Sequence, residues 1–297
     1  LPVLEQIVVR IFAADHGVCA QGVSAFPSEV TTQMIGNFLN GGAAISVLSR
    51  AEKADFAVVN MGTIQSVTPA AGLINVAVAP GTADFTCGEA MSDNIMQSCM
   101  NNGRSLVNET SGDLFIAGEM GIGNTTSASA ICAALLSLSA EDVVGRGTGV
   151  DDEGLMRKQR AVGKGIALHT VHLHSPLGVL RCLGGLEIAA MCGAYIRCAQ
   201  RGIPILLDGF IAGSAALLAS KINPGVTPWL MAGHESTEPA HQLILSELSL
   251  KPILSLGMRL GEGSGAALAL PIIRSALRLH SQMATFSEAA VSGMDAV

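Results

Sequence analysis

The sequence has few charged residues and very few aromatic ones. Charged residues make up 14% of the 297 residues and aromatic residues 3%, and the net charge is −7. No run of lysine or arginine is present that would form a basic surface for a nucleic acid, so we expect no nucleic-acid partner. The apolar content consists mainly of alanine, leucine, isoleucine and valine, which suits helices packed on a buried parallel sheet.

Cysteine and histidine occur without the spacings of disulfide-rich or metal-binding proteins. The seven cysteines are odd in number and include no C-x-x-C pair, which predicts reduced thiols packed as small apolar side chains. The nearest approach to a metal-binding pattern is His169-x-x-His172-x-His174, whose spacing is not one that zinc sites use. We therefore expect no metal ion.

Hydrophobic runs long enough to cross a membrane are also lacking, although the mean hydropathy is +0.47. The most apolar stretches, Gly209–Ser220 and Gly265–Ile273, are shorter than the roughly 20 residues that a membrane span needs. No basic and apolar segment typical of a secretory signal opens the chain. These features favour a cytoplasmic protein with no membrane association over a membrane protein.

One pattern recurs along the chain: a short apolar run, then a turn rich in Gly, Asp or Ser, then a helical stretch. Such alternation predicts βαβ units, and we expect an α/β fold with a doubly wound, Rossmann-like, mostly parallel sheet rather than an eight-fold barrel. Ligands in such folds bind at the carboxyl ends of the strands, so the turns should form one composite site. The expected strands are Ile7–Ala13, Asp55–Val59, Asp113–Ala117, Ile203–Leu207, Pro228–Ala232 and Lys251–Met258.

The two ends of the chain differ from this pattern. Residues 1–270 are expected to form the large α/β domain with the composite site. Residues 271–297 contain no strand pattern, and we expect them to supply the carboxyl-terminal helical part of a small domain.

The segment Gly118–Thr126 follows an apolar strand and precedes the helical run Ser127–Leu136. Glycines allow the backbone to approach a ligand, and the free N–H groups of a helix start favour an anion such as phosphate. Glu119 would then lie at the mouth of the site. The alternative is a tight strand-to-helix turn with a solvated carboxylate.

Three further segments carry candidate chemistry. Gly145–Glu153 is followed by Lys158, whose ammonium group suits a phosphate, although a surface lysine is the alternative. Gly233–Ser236 offers Ser236 as a phosphate donor and His234 as a base. In Arg259–Ala267, Glu262 lies between two glycines and gains nothing from packing, and partial burial there would raise its pKa and make it a better base near neutrality.

These motifs together resemble the family of nicotinate-nucleotide–dimethylbenzimidazole phosphoribosyltransferases. The resemblance extends from Phe12 to about Val291, nearly the whole chain. It implies transfer of phosphoribose from nicotinate mononucleotide to 5,6-dimethylbenzimidazole, which yields α-ribazole phosphate and nicotinate with inversion at the anomeric carbon. The segments that carry it are Phe12–Val18, Gly118–Thr126, Gly145–Gly149 with Lys158, Leu207–Phe210, His234–Ser236 and Arg259–Ala267.

The resemblance also implies roles for individual residues. Glu262 matches the general base and Glu119 the second important carboxylate. The expected nucleotide-binding residues are Gly121, Ile122, Gly123, Asn124, Thr125, Lys158, Ser236, Gly263 and Ser264, and the expected base-binding residues are Phe26, Met120 and Leu260. The family forms homodimers and has a small helical domain, and we expect no cofactor.

Two departures and two alternatives remain. The family usually has several dozen residues before the first strand, so we expect the small domain to lack its amino-terminal part. Asn60 stands where an aspartate is expected.

A nucleotide-dependent oxidoreductase is disfavoured because Gly121-x-Gly123 does not continue as G-x-G-x-x-G. A non-catalytic or altered-specificity paralogue that binds nucleotide or base stays open.

Overall fold

The computed structural model describes residues 4–147 and 149–292. Seven strands form one sheet in the order β3-β2-β1-β4-β5-β6-β7, and every neighbouring pair is parallel. This confirms the predicted doubly wound parallel sheet. The strands are β1 (Ile7–Ala14), β2 (Asp55–Gly62), β3 (Leu73–Asn75), β4 (Leu114–Met120), β5 (Ile205–Leu207), β6 (Leu230–Ser236) and β7 (Pro252–Met258).

The strand order reverses between β1 and β4. The chain winds outward from β1 through β2 to β3, and then from β4 on the other side of β1 to β7. Ligand sites of such sheets lie in the crevice at the carboxyl ends of the strands beside this switch point. All six predicted strands are present. The additional strand, β3, is a three-residue edge strand that is only partly buried and ends in Asn75, so it lacks the buried apolar run by which β5 was recognised.

Helices cover both faces of the sheet, and β1 shows how the sequence places them. Its side chains alternate, so that Val8 and Phe12 pack in one hydrophobic cluster while Val9 and Ile11 pack in another. The α-helices among the described residues are α1 (Glu29–Leu39), α2 (Ala44–Ala51), α3 (Asp93–Asn108), α4 (Asn124–Leu136), α5 (Ala140–Val143), α6 (Asp152–His169), α7 (Pro176–Leu183), α8 (Leu186–Arg201), α9 (Phe210–Ile222), α10 (Pro239–Glu247) and α11 (Ser264–Gln282).

The two clusters correspond to two helical layers. One includes buried residues of α3, α4, α7, α8 and α9, and the other includes those of α1, α2 and α11. Because side chains of a strand point alternately to opposite faces, apolar residues on both sides of β1 bury both faces at once. None of the described helices is long and apolar enough to cross a membrane.

Helix α11 contains the predicted boundary between the two domains. It runs without interruption from Ser264 to Gln282 and includes Pro271. Its residues up to Leu270 are mostly buried, whereas most of those that follow are exposed. The change from buried to exposed residues therefore coincides with the domain boundary expected at residue 270. The small domain itself stays a prediction, and residues 293–297 of the expected tail lie outside the described part of the chain.

Asn60 lies near the carboxyl end of β2. Its amide nitrogen donates to Asn75 Oδ1 at 3.1 Å, and its own Oδ1 accepts from the Gly62 N–H at 3.0 Å. The asparagine therefore makes a link to β3 through its N–H₂ group, a donor that an ionised aspartate does not have.

Small residues let α3 and α8 lie against each other. A Cβ added at Gly103 would overlap the carbonyl oxygen of Ala190, and one added at Gly193 would overlap that of Met100. Neither helix can therefore accept even a methyl group at these two positions without a backbone shift.

We predict that Gly103→Ala lowers the free energy of unfolding by about 1–3 kcal/mol, since overpacking forces backbone displacement. Gly163→Ala in α6 is the matched control, because no other atom lies within 4 Å of the added Cβ. Alanine is the better helix former, so the control should gain about 0.5–1 kcal/mol. Urea titrations of both variants test this. Equal effects of the two substitutions would show that the helix contact is not tight.

Candidate active site

A cleft of about 350 Å³ opens at the carboxyl ends of the strands. Its walls come from the turns after β4, β5, β6 and β7 and from α1, so segments distant in sequence converge as the strand pattern predicts. The segment between β1 and α1 contributes Phe26, whereas no described residue of the turn after β2 lines the cleft. The lining residues are Phe26, Val30, Met34, Glu119–Ile122, Asn124, Thr125, Gly147, Asp208–Ala212, His234, Ser236, Glu238 and Arg259–Glu262.

Apolar side chains and two carboxylates share one part of this lining. Phe26, Met120 and Leu260 line the cleft together with Glu119 and Glu262. Phe26 is 49% exposed and Leu260 62% exposed, so these two large apolar side chains remain accessible. The three residues expected to bind a base are thus in one cleft with the two expected catalytic glutamates.

Glu262 lies in a strained turn. Its φ is 66°, and the glycines on either side have φ of 79° and 89°. A non-glycine residue held in the left-handed region costs about 1–3 kcal/mol, and such strain concentrates at functional sites. Gly118 permits the turn, since a Cβ there would overlap the Glu262 carbonyl oxygen. Because Gly261 and Gly263 have positive φ values that other residues rarely adopt, the turn itself requires glycine at both positions.

The carboxyl group of Glu262 is buried and incompletely paired. The residue is 8% exposed, and its Oε2 has no hydrogen-bond partner among the described residues. Burial raises the pKa of Glu262 above its ordinary value of 4.5, while the Ile45 N–H opposes the shift and the charge of Asp208 adds to it. The group is thus a stronger base than a solvated glutamate and has an oxygen available for a substrate proton.

Asp208 holds this turn from below. Its Oδ1 accepts from the N–H groups of Gly265 at 2.8 Å and Ala266 at 3.0 Å, and its Oδ2 accepts from Gly263 at 3.1 Å. A carboxylate at a helix start satisfies N–H groups that the helix leaves free. The sequence showed Asp208 only as part of a family segment, and its position directly after a strand was the available signal for this role.

His234 lies beside Asp208, with Nε2 3.5 Å from Oδ1. Burial alone would lower the pKa of His234, but the Asp208 hydrogen bond and charge outweigh it and raise the pKa. Burial likewise acts to raise the pKa of Asp208, and the interactions with His234 and with backbone N–H groups lower it. His234 lines the cleft and is paired with a carboxylate through Nε2, and its role as a base stays a prediction.

Glu119 occupies the end of β4 in a different environment. Asn124 Nδ2 donates to its Oε2 at 2.5 Å. Burial raises the pKa of Glu119 from 4.5 to about 8, and the charges of Asp208 and Glu187 add to this, while the bond from Asn124 opposes it. Near neutral pH the group is therefore protonated.

The turn from Gly121 to Thr125 leads into α4 without a side-chain cap. Asn124 could act as a cap by type, but its side chain is bound to Glu119. The Asn124 and Thr126 N–H groups donate to the Gly121 and Gly123 carbonyls at 3.0 Å, so among the first N–H groups of α4 that of Thr125 is left for an anion. Beneath the turn, His16 Nε2 lies 2.7 Å from Glu187 Oε1 and Nδ1 lies 3.1 Å from Ser127 Oγ, which fixes the ring on which Gly121 packs.

Lys158 reaches the same turn from α6 and is only 1% exposed. Its Nζ donates to Thr125 Oγ1 at 3.0 Å and to the Gly145 carbonyl at 2.9 Å, which leaves one ammonium proton. Burial lowers the pKa of Lys158 to about 8, and the charge of Glu238 opposes this. The surface alternative for Lys158 is therefore wrong.

Glu238 is a charged residue of the cleft that the sequence reading missed. It accepts from the Gly147 N–H at 3.0 Å, and its own N–H donates to Ser236 Oγ at 3.3 Å. The only sequence signal was its position two residues after Ser236. Glu238 thus connects the Gly147 loop to the end of β6. Thr148, within the same glycine-rich loop, lies outside the described residues.

Most of the expected nucleotide-binding residues surround two adjoining spaces. Gly121, Ile122, Asn124, Thr125 and Ser236 line the cleft, whereas Gly123 and Lys158 line a small adjacent cavity of about 20 Å³.

Gly263 and Ser264 are the exceptions, since they line neither space. The Gly263 N–H donates to Asp208, and Ser264 Oγ donates to the Gly261 carbonyl at 2.7 Å. Their polar groups serve the turn rather than face the cleft.

The histidine cluster of the sequence does not come together as a site. His169 Nε2 lies within 3.0 Å of the Phe85 and Gly88 carbonyls, whereas His172 and His174 are more exposed. Across residues 4–147 and 149–292, no group of three or more His, Cys, Asp or Glu side chains is placed to hold a metal ion.

Known proteins resemble this chain over almost its full length. The family described as phosphoribosyltransferase matches residues 1–291. Relatives from Pseudomonas putida (strain GB-1) and Azotobacter vinelandii, both named nicotinate-nucleotide–dimethylbenzimidazole phosphoribosyltransferase, are 48% and 50% identical, and each alignment covers 98% of this chain and 84% of the relative. The crystal structure of CobT from Thermus thermophilus has a TM-score of 0.94 at 46% identity, covering 98% of this chain and 88% of that one.

We predict that Glu119→Gln stabilises the protein in a pH-dependent way. Between pH 4.5 and about 8 the folded protein keeps a proton that the unfolded chain releases, so stability falls as the pH rises through this window. Glutamine cannot ionise and can still accept from Asn124. The gain should be near zero below pH 4.5 and about 2–4 kcal/mol near pH 8.

Urea titrations at pH 4.5 and pH 8 measure this difference. Glu109→Gln is the control, since Glu109 is exposed at the end of α3 and should show no gain at either pH. A gain at pH 8 no larger than that of the control would contradict a protonated Glu119.

Proposed function

The chain belongs to the nicotinate-nucleotide–dimethylbenzimidazole phosphoribosyltransferase family, and we propose that Glu262 is the general base of the family's reaction. The enzyme transfers phosphoribose from nicotinate mononucleotide to 5,6-dimethylbenzimidazole and yields α-ribazole phosphate and nicotinate. The observation that carries the assignment of Glu262 is its strained turn, which presents a buried carboxylate with an unpaired oxygen to the cleft.

The chemistry requires a base more than an acid. The pyridinium ring of the nucleotide leaves as a neutral ring nitrogen, so the leaving group needs no protonation. The attacking benzimidazole nitrogen gains positive character, and loss of the proton from its second nitrogen relieves that charge. Attack from the face opposite the pyridinium inverts the anomeric carbon and gives the α-product.

Glu119 and Glu262 differ in their environments, and this difference suits them to different roles in the reaction. Glu119, with a pKa of about 8, is protonated near neutrality and acts as a hydrogen-bond donor within the site. Burial also raises the pKa of Glu262, which makes it a better proton acceptor once it is ionised, and its Oε2 has no partner among the described residues. Glu262 therefore accepts the proton, and Glu119 donates a hydrogen bond to a polar atom of a substrate.

We propose one orientation of the substrates in the cleft. The nucleotide phosphate lies at the start of α4, near Thr125, Lys158 and Ser236. The flat base lies against Phe26, Met120 and Leu260, next to Glu262. This arrangement is supported by the distribution of charge, since Lys158 and the helix start lie around the Gly121–Thr125 turn and the apolar residues line the wall beside the glutamates.

The pH dependence of turnover should follow the ionisation of Glu262. We predict that Glu262→Gln lowers turnover by roughly 10²–10⁴-fold, the usual contribution of a positioned general base, and leaves nucleotide affinity intact. In the unsubstituted enzyme, kcat/KM should rise with pH through a pKa above 4.5, because only the ionised carboxylate accepts a proton. This limb should disappear in the variant. Chromatographic assay of α-ribazole phosphate across pH measures both effects.

Lys158→Met provides the contrast. It removes a charge-assisted phosphate contact worth about 1.5–3 kcal/mol, so it should weaken nucleotide binding in titration calorimetry more than it lowers turnover at saturation. Near-native turnover in Glu262→Gln would refute the base assignment. Nucleotide binding by the unsubstituted protein without any product would favour the non-catalytic paralogue instead.

A homodimer is also part of the proposed functional unit. Strand β7 is the last strand of the sheet, and its Leu256 is 65% exposed. Ile272 and Leu279 on α11 are 48% and 61% exposed. An uncovered edge strand beside exposed leucine and isoleucine side chains favours association with a second copy.

Location in the cytoplasm and independence from cofactors stay predictions. The cytoplasmic location agrees with seven unpaired cysteines.

We predict that sedimentation velocity at micromolar concentration shows a dimer and that Leu256→Lys shifts it toward monomer, because a lysine in the interface must be desolvated. Leu177→Lys is the control, since Leu177 is exposed on α7, in the opposite helical layer. A stable monomer of the unsubstituted chain would refute the dimer.

A further inference from the structure

The segment directly after β1 carries two buried polar side chains that lie outside the cleft. Asp15 and His16 are 2% and 1% exposed, and neither lines the cleft or the small cavity beside it. Burying a polar side chain costs free energy unless it finds partners. The contacts of His16 therefore indicate a purpose other than direct contact with a substrate.

His16 connects the starts of two helices. Its Nδ1 lies 3.1 Å from Ser127 Oγ near the start of α4, and its Nε2 lies 2.7 Å from Glu187 Oε1 at the start of α8. Serine, histidine and carboxylate follow one another as in a hydrolytic triad. Ser127 is fully buried, however, and lines neither the cleft nor the adjacent cavity. Its hydroxyl therefore cannot attack a substrate.

The His16 ring lies directly behind the turn that leads into α4. A Cβ added at Gly121 would come within 3.2 Å of His16 Nε2, and one added at Gly123 within 3.3 Å of the His16 Cβ. A Cβ added at Gly185 would be 2.5 Å from His16 Cε1. Glycine backbone thus contacts His16 at three positions. Because protein interiors are close-packed, a displacement of this side chain would move the Gly121–Thr125 turn.

Stability alone does not account for this buried group. Glu187 is fully buried, and its Oε2 has no hydrogen-bond partner among the described residues. A buried carboxyl group with an unpaired oxygen is unfavourable, and apolar residues of similar volume often stabilise a core as well or better. The pair of His16 and Glu187 is therefore better explained by the position that it gives to the ring.

We propose that His16, Ser127 and Glu187 are positioning residues that fix the phosphate-binding turn. The ring supports Gly121 and Gly123 from behind, and Ser127 connects it to α4, whose Thr125 N–H is left for an anion. This inference rests on the proposed function, since it takes the nucleotide phosphate to lie at that turn. Its effect should therefore be specific for the phosphate group.

The test uses titration calorimetry with nicotinate mononucleotide and with nicotinate riboside, which has the same ring and ribose but no phosphate. Ser127→Ala removes the link to α4 and should weaken the mononucleotide about 3- to 10-fold, the usual effect of one hydrogen bond. His16→Asn is too short to contact Ser127 and Glu187 together and should weaken it about 10- to 100-fold. Affinities for the riboside and for 5,6-dimethylbenzimidazole should not change.

Ser129→Ala is the matched control. Ser129 is also fully buried in α4, and its hydroxyl donates to the Val143 carbonyl at 3.2 Å. Its loss removes a comparable hydrogen bond away from His16 and should leave every affinity unchanged. Glu187→Gln can still form a hydrogen bond with Nε2, so it should retain more affinity for the mononucleotide than Glu187→Leu. Urea titrations of all variants separate these effects from loss of stability.

The phosphate-specific loss decides the outcome. Equal losses for mononucleotide and riboside, or unchanged mononucleotide affinity in Ser127→Ala, would overturn the proposal. Ser127→Ala decides alone if His16→Asn does not fold. A phosphate-specific loss in a protein that forms no α-ribazole phosphate would refute the proposed function and leave the positioning role intact. Product formation that is accompanied by no such loss would refute only the positioning role.

Discussion

One buried carboxylate organises the catalytic end of this molecule. Asp208 receives three backbone N–H groups at the start of α11 and in doing so fixes the left-handed turn that carries Glu262. A buried charge is costly unless it is paired or hydrogen-bonded, and here the helix start and His234 supply the partners. Because His234 lies near the end of β6 and the N–H groups belong to the segment after β7, the same interaction connects three strand ends around the cleft.

The carboxyl groups of the cleft then take different protonation states because their surroundings differ. Asp208 has hydrogen-bond donors for both oxygens and a lowered pKa, whereas Glu119 is buried with one side-chain donor and holds its proton to about pH 8. Glu262 has a raised pKa and an unpaired oxygen. An ionised neighbour makes ionisation of the others less favourable. Asp208 therefore positions Glu262 through hydrogen bonds and raises the pKa of both glutamates through its charge.

Much of this arrangement could be predicted from sequence, for identifiable reasons. Six strands could be predicted because buried parallel strands are continuous apolar runs. Glu262 could be singled out because a glutamate between two glycines gains nothing from packing. Strand β3 was missed because it is a partly exposed edge strand whose two apolar residues are followed by Asn75. Glu238 was missed because nothing nearby in sequence shows that the Gly147 loop folds over it. Gly263 and Ser264 were assigned to the nucleotide by their motif, but only three-dimensional contacts show that their polar groups are used within the turn.

The contact between Gly118 and the Glu262 carbonyl also limits how the enzyme can change. Strand β4 at Gly118 and the turn that carries Glu262 meet backbone to backbone, with no side chain between them to be exchanged for a larger or smaller one. If the proposed arrangement of substrates holds, changes of acceptor preference are confined to side chains of the cleft wall, such as Phe26, Met120 and Leu260. Enzymes of this construction would then diversify in the aromatic bases they accept while the backbone that carries Glu262 stays constant.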